Sequence, residues 1–201
     1  MIIETFAQGS EEWKAARVGK PSASNFDCII TTRGDPSKQR KKYLYTLAGE
    51  RIIGKKEEIY QNDAMTRGIQ MESEARGLYD LILGTKTKQV GVCYQNEKRL
   101  IVASPDGLVG DLGLLEIKCP LLPTMVAYQI EDNLVMDYWQ QLQGQLLVTG
   151  REWVDIMAYY PAMNPIIKRV ERDDKFLKAL EIELSVFCQE LEEITKKLKG
   201  E

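Results

Sequence analysis

The segment "SPDGLVGDLGLLEIKCP", residues 104 to 120, restricts the fold more than any other stretch of the chain. "GLLEIKCP" has the length and apolar content of a short buried strand that Pro120 ends, yet it carries Glu116 and Lys118. Ionised side chains are costly in a core unless something pairs with them. Side chains alternate along a strand, so Glu116 and Lys118 share one face while Leu115, Ile117 and Cys119 point to the other. "SPDG" predicts a turn, with Pro in its second position and Gly in its fourth, from which Asp106 can approach the same polar face. Two carboxylates brought together repel, and one must protonate unless a cation lies between them. An all-oxygen set suits Mg²⁺, with Mn²⁺ as a substitute, and not zinc. Such a site activates water against a phosphodiester, and a lysine beside it can orient or deprotonate that water.

The rest of the composition narrows the chemistry further. The 201 residues include no histidine, which excludes Ser-His-Asp and Cys-His catalysis and zinc sites of the H-E-x-x-H kind. Acid–base work then falls to carboxylates, lysine, tyrosine or activated water. Cys28, Cys93, Cys119 and Cys188 are scattered without a C-x-x-C pair and read as reduced packing residues. The net charge of −3 does not advertise a nucleic-acid binder. It is unevenly spread, however: residues 1–60 hold 11 Lys and Arg against 8 Asp and Glu. That excess is concentrated in "TTRGDPSKQRKKYLYT", where Arg33, Lys38, Arg40, Lys41 and Lys42 form either a phosphate-binding patch or a solvated helix start.

Hydrophobic periodicity outlines one α/β domain over residues 1–201, a central mixed sheet flanked by helices. Helices are expected from Ser10, from Ser22 or Ser24, over about 38–53 and 64–83, and over about 122–132 and 136–149. Strands are expected in "TKQVGVCYQ", "RLIVAS", "LVG", "GLLEIKCP", "EWVDIMAYY" and "PIIKRVER". A long final helix spans about 173–199, with Phe176, Leu180, Leu184, Phe187, Leu191, Ile194 and Leu198 as a stripe expected to pack on the sheet. No apolar run has the length to cross a membrane, and "MIIETFAQGSEE" lacks a signal pattern, so a soluble, cytoplasmic protein is expected.

"SPDGLVGDLGLLEIKCP" resembles the lambda-exonuclease-like, YqaJ-type branch of the PD-(D/E)xK nucleases, the phage recombination exonucleases. Three further blocks follow in family order across about residues 8–176: "GSEEWKAARVGKPSASNF", "RGIQMESEAR" and "YWQQLQGQLLVTG". The resemblance implies a restriction-endonuclease-like fold and a 5′→3′ exonuclease that degrades double-stranded DNA to mononucleotides, leaving 3′ overhangs for recombination. By motif, Asp106, Glu116 and the Ile117 carbonyl would bind Mg²⁺, Lys118 would serve the water, and Glu72 would hold a second metal or its water shell. Arg17, Ser24, Ser104 and Gln141 would surround a 5′-phosphate, with Met65 placed as an end-opening wedge and Arg33 as a groove contact. Related nucleases often carry a tyrosine one turn after the glutamine, where this chain has Gln145. The resemblance also implies a ring-shaped trimer, a single-strand annealing partner, and a phage or prophage gene acting in a bacterial cytoplasm. Two alternatives stay open: another PD-(D/E)xK endonuclease, or an inactive module that binds DNA ends.

Overall fold

A computed structural model describes residues 1–56 and 63–201. Local capping rules set several boundaries. Ser10 accepts a hydrogen bond from Trp13 N (3.2 Å) and opens helix α1, Glu11–Arg17. Asp173 does the same for Phe176 N (2.9 Å) at the start of α7, Asp174–Lys199. Between them run a 3₁₀ segment at Ala23–Cys28, α2 at Arg40–Ile53 and α3 at Asp63–Leu83. The helix expected over 136–149 is two pieces, α5 at Leu134–Asp137 and α6 at Trp139–Thr149, which follow α4 at Leu122–Glu131 and break at Tyr138.

The strands form two sheets rather than one. β1 (Ile2–Glu4), β2 (Val92–Tyr94) and β3 (Val102–Ala103) make an antiparallel sheet, and β1 is an element the sequence pattern did not mark. β4 (Gly107–Val109), β5 (Gly113–Lys118), β6 (Trp153–Ala158) and β7 (Ile166–Glu171) make a mixed sheet in which β5 and β6 run parallel. The parallel pair needs a long crossover, and α4, α5 and α6 supply it. The sheets separate at Ser104–Pro105–Asp106 because β3 and β4 find other partners. Val102 N donates to Pro21 O (3.0 Å), whereas Leu108 and Lys88 exchange backbone bonds of 2.8 and 2.9 Å.

Two layers cover the mixed sheet. Leu114, Val154 and Ile156 pack with Leu142 and Leu146 of α6. On the opposite face Leu115, Ile117 and Met157 pack with Ala75 and Tyr79 of α3. A buried Asp155 ties α3 to that face, accepting from Tyr79 Oη (2.8 Å) and from Arg169 through two bonds of 2.8 and 2.9 Å. With both faces covered, the α7 stripe packs on α2 and α6 instead of the sheet: Phe187 stacks on Tyr43, and Phe176 meets the edge of Trp139. The buried stripe stops short of Leu198, which is exposed. Among the described residues, no helix is long and apolar enough to cross a membrane.

Gly144 lets α6 press against the 3₁₀ segment. A Cβ there would sit 2.3 Å from Cδ2 of Phe26, a ring that is fully buried and cannot withdraw. In an open helix, Gly to Ala stabilises by about 0.5–1 kcal/mol. Here overpacking, at about 1–3 kcal/mol, outweighs that gain. Gly144→Ala is therefore expected to lower the unfolding free energy by about 1–2 kcal/mol net, measured by urea denaturation.

Candidate active site

The seam between the sheets places two kinds of chemistry side by side. On one side, Asp106 leaves the turn and its Oδ2 accepts from Ile117 N at 2.6 Å, continuing the pairing that β4 makes with β5. Glu116 and Lys118 share the face towards α6, while Leu115 and Ile117 take the other, as strand alternation requires. Glu116 is buried, and both of its oxygens accept hydrogen bonds. Oε1 accepts from Lys118 Nζ at 2.8 Å and from Gln141 Nε2 at 2.5 Å, and Oε2 accepts from Gln145 Nε2 at 2.6 Å. Gln141 Oε1 in turn accepts from Lys118 Nζ at 3.1 Å. The ammonium lies 4.3 Å from the centre of the Tyr138 ring, which roofs it.

On the other side of the turn, α1 and the 3₁₀ segment present a buried guanidinium. Arg17 Nη1 donates to Ser104 Oγ at 2.7 Å, and Nη2 donates to Ser22 Oγ at 3.0 Å and Ser24 Oγ at 3.4 Å. The guanidinium stacks 4.4 Å above the Trp13 ring, whose Nε1 donates to Gly91 O and to Ser104 Oγ. Arg17 Nε is buried without a partner among the described residues. The loop joining Arg17 to Ser22 is held rigidly: Gly19 N donates to Glu50 Oε2 at 2.8 Å, and Arg51 Nε donates to Gly19 O at 2.8 Å. Gly19 needs its positive φ of 62°, and a Cβ would strike Arg51 Cγ at 2.3 Å. Both halves line one cleft of ≈ 240 Å³, which Gln8, Trp13, Arg17, Ser24, Ser104, Glu116, Lys118, Gln141 and Gln145 enclose.

The electrostatics call for a cation beside the carboxylates. Burial, then the charges of Glu116 and Glu72, hold the Asp106 carboxyl well above its usual range despite the Ile117 N–H and Lys118. Burial pulls the Lys118 ammonium down, but Glu116, Tyr138 and Asp106 more than offset this and raise it, so it remains charged. Burial lowers the Arg17 guanidinium, with Tyr43, Glu116 and Glu50 opposing. Two neighbouring hard oxygen donors, with Glu116 lining a cleft that has room for water, fit Mg²⁺ or Mn²⁺, which use one or two carboxylates and keep several waters. Among the described residues, no third His, Cys, Asp or Glu completes a metal-holding cluster with them. Glu72 comes within electrostatic reach of Asp106, but its carboxylate is paired with Arg76 one turn along α3.

The residues singled out from sequence thus divide. Asp106, Glu116 and Lys118 come together, as do Arg17, Ser24 and Ser104; Gln141 lies in the same cleft but bonds Glu116 and Lys118 rather than Arg17. Arg40 is not available to a ligand: it pairs with Glu190 at 2.5 Å and with Glu183, and it covers Phe187. Arg33, Lys38, Lys41 and Lys42 are exposed and, among the described residues, make no ion pair. The Met65 side chain lies outside the described residues. Four contributors lacked a sequence-level assignment: Ser22, Gln8, Tyr138 and Gln145. Ser22 was marked only as a possible helix start, and Gln145 carried a signal because it lies four residues after Gln141 on one helix face.

A family model described as the YqaJ-like viral recombinase domain matches residues 12–152. No curated protein matches the chain. Among solved structures, the chain is similar to an alkaline exonuclease, LHK-Exo, from Laribacter hongkongensis. The two are 36% identical with a TM-score of 0.86, over 95% of this chain and 97% of that one. LHK-Exo in complex with dAMP matches equally well. A phage-related exonuclease from Haemophilus somnus 129PT shares the fold, with a TM-score of 0.68 at 15% identity, over 90% of this chain and 96% of that one. The four sequence blocks, the restriction-endonuclease-like α/β fold and the matched domain agree, and the chain belongs to the YqaJ-like viral recombinase family.

Proposed function

We propose that the protein is a Mg²⁺-dependent 5′→3′ exonuclease that degrades linear double-stranded DNA from its ends and leaves 3′ overhangs. One observation carries the reading: a single cleft joins Glu116 and Lys118, which lie beside Asp106, to a separate buried guanidinium ringed by hydroxyls. An enzyme that cuts within a strand has no terminal phosphate to hold, so a second anion pocket beside the cutting site favours an end-directed enzyme. The family and the 36% identical alkaline exonuclease support nuclease activity.

Asp106 and Glu116 would hold the metal, with the Ile117 carbonyl as a further ligand and Glu72 at its water shell. When bound, Mg²⁺ supplies charge neutralisation at the scissile phosphate and acidifies the attacking water. Lys118 holds a positive charge at the developing oxyanion and orients the water through its ammonium. Arg17, stacked on Trp13, would grip two oxygens of the terminal phosphate while Ser24 and Ser104 donate hydroxyls. Lys38, Lys41, Lys42 and Arg33 would follow the duplex backbone beyond the cleft. By the same family reading, the enzyme works as a ring-shaped trimer with a single-strand annealing protein in a bacterial cytoplasm.

Two tests follow from this arrangement. Degradation of 5′-phosphorylated linear duplex should outpace that of 5′-hydroxyl duplex, and covalently closed circles should resist. Arg17→Ala should shrink the end preference, at a cost of about 1.5–3 kcal/mol in phosphate binding, and leave residual cutting Mg²⁺-dependent. Glu116→Gln should be nearly inactive yet folded. Equal rates on both end types, or cutting of circles, would refute end recognition. Separately, neutralising Lys38, Lys41 and Lys42 together should flatten the salt dependence of duplex binding by about one unit of slope per lost phosphate contact. Neutralising Arg40 should instead lower stability. Binding assays over a salt series and thermal melts distinguish the two.

A further inference from the structure

Gln145 holds an unresolved contradiction. It is 1% exposed, it lines the cleft, and among the described residues its Oε1 has no hydrogen-bond partner although its Nε2 donates to Glu116 Oε2 at 2.6 Å. A buried carbonyl oxygen left unpaired is costly, and such groups in a folded protein call for an explanation. Turning the amide over does not remove the problem. It would set Oε1 against the Glu116 carboxylate, acceptor against acceptor, and leave two N–H donors stranded instead. The carboxylate therefore fixes the orientation of the amide and keeps its oxygen free.

Gln141, one turn earlier, is the internal comparison. Its Nε2 also donates to Glu116, but its Oε1 is satisfied by Lys118. Two carboxamides thus grip the two oxygens of one carboxylate, and of the two only the deeper one keeps an acceptor without a partner among the described residues. The helix keeps it in place: Thr149 Oγ1 donates to the main-chain oxygen of Gln145 at 2.7 Å, and Gly144 allows α6 to sit close to the 3₁₀ segment. A phosphate oxygen could not satisfy Oε1, because both are acceptors. A water molecule could, donating one proton to Oε1 while a lone pair remains for the reaction.

We propose that Gln145 is a positioning residue of the reaction: its amide N–H fixes the Glu116 carboxylate in the orientation that holds the metal, and its carbonyl oxygen orients a water in the cleft. This rests on the nuclease reading of the same site. Partners that orient a metal's carboxylate ligand typically change metal affinity or activity by about 10–100-fold when removed. A side chain that only filled space would have no such effect once the variant is folded.

The test replaces Gln145 with methionine, which keeps the length and shape and removes both polar atoms. Wild type and Gln145→Met are compared by thermal unfolding, by calorimetric titration with Mg²⁺ alone, and by the rate of degradation of 5′-phosphorylated duplex. The expected result is a folded variant with a thermal midpoint near wild type, Mg²⁺ binding weakened by about 10–100-fold, and kcat reduced by a similar factor with KM for duplex ends unchanged. If Gln145→Met does not fold, Gln145→Leu, which has no polar side-chain atom to offer Glu116, should show the same fall in kcat with KM unchanged. A folded Gln145→Met, or its Leu substitute, that binds Mg²⁺ and cuts within about twofold of wild type overturns the inference while leaving the nuclease reading intact. A wild type that neither binds Mg²⁺ nor cuts removes both.

Discussion

The Glu116 carboxylate is the point on which the site depends. It lies at the centre of the mixed sheet, on the face covered by α6, where an unpaired charge would be strongly destabilising. Three donors make it tolerable: the Lys118 ammonium and the amides of Gln141 and Gln145. Those donors come from the same strand and from the crossover helix that joins β5 to β6. The parallel pairing of these strands, the path of the crossover and the close approach of α6 at Gly144 therefore all serve to satisfy one carboxylate. Charge and hydrogen bonding here act on geometry: a carboxylate gripped at both oxygens has one orientation.

The second requirement is nearness, and the break between the sheets provides it. Ser104 ends the three-stranded sheet and bonds Arg17, while Asp106, two residues on, bonds the backbone of β5. The proline between them has its carbonyl held by Gln8, whose amide also reaches Val90 O, each at 3.0 Å. A single turn thus sets the spacing between a buried guanidinium and a carboxylate site. Elsewhere the charged side chains serve the fold: Asp155 with Arg169 and Tyr79 anchors α3, and Arg40 with Glu190 anchors α2 to α7. The contrast between Arg17 and Arg40 is instructive. Arg40 meets carboxylates, whereas Arg17 meets hydroxyls and an aromatic face and, among the described residues, forms no ion pair.

What could be read from the sequence was local in origin. Ser10 and Asp173 announce helices because an N-cap acts over three residues, and the shared face of Glu116 and Lys118 follows from the two-residue period of a strand. What could not be read depends on distant partners. β1 is three residues long and exists through its pairing with β2, and the split into two sheets depends on Pro21 and Lys88 as edge partners. The α7 stripe was legible as apolar, but not its target, because the sheet faces were already covered by α3 and α6. In the basic segment, alternation of exposure along α2 separates Arg40 from Lys41 and Lys42, which charge counting alone treats alike. Glu72 shows the same limit: its spacing to Arg76 was visible, but not which of the two partners, Arg76 or a metal, its carboxylate faces.

The most direct test of the whole account is a crystal structure of the protein with a 5′-phosphorylated duplex and Ca²⁺, which prefers longer and looser coordination and so stalls turnover without removing the complex. The account predicts a Ca²⁺ ion held by Asp106 and Glu116, with the terminal phosphate on Arg17, Ser24 and Ser104. A cation bound away from Asp106 and Glu116, or a duplex end seated outside the cleft with Arg17 still bonded only to its serines, would contradict it.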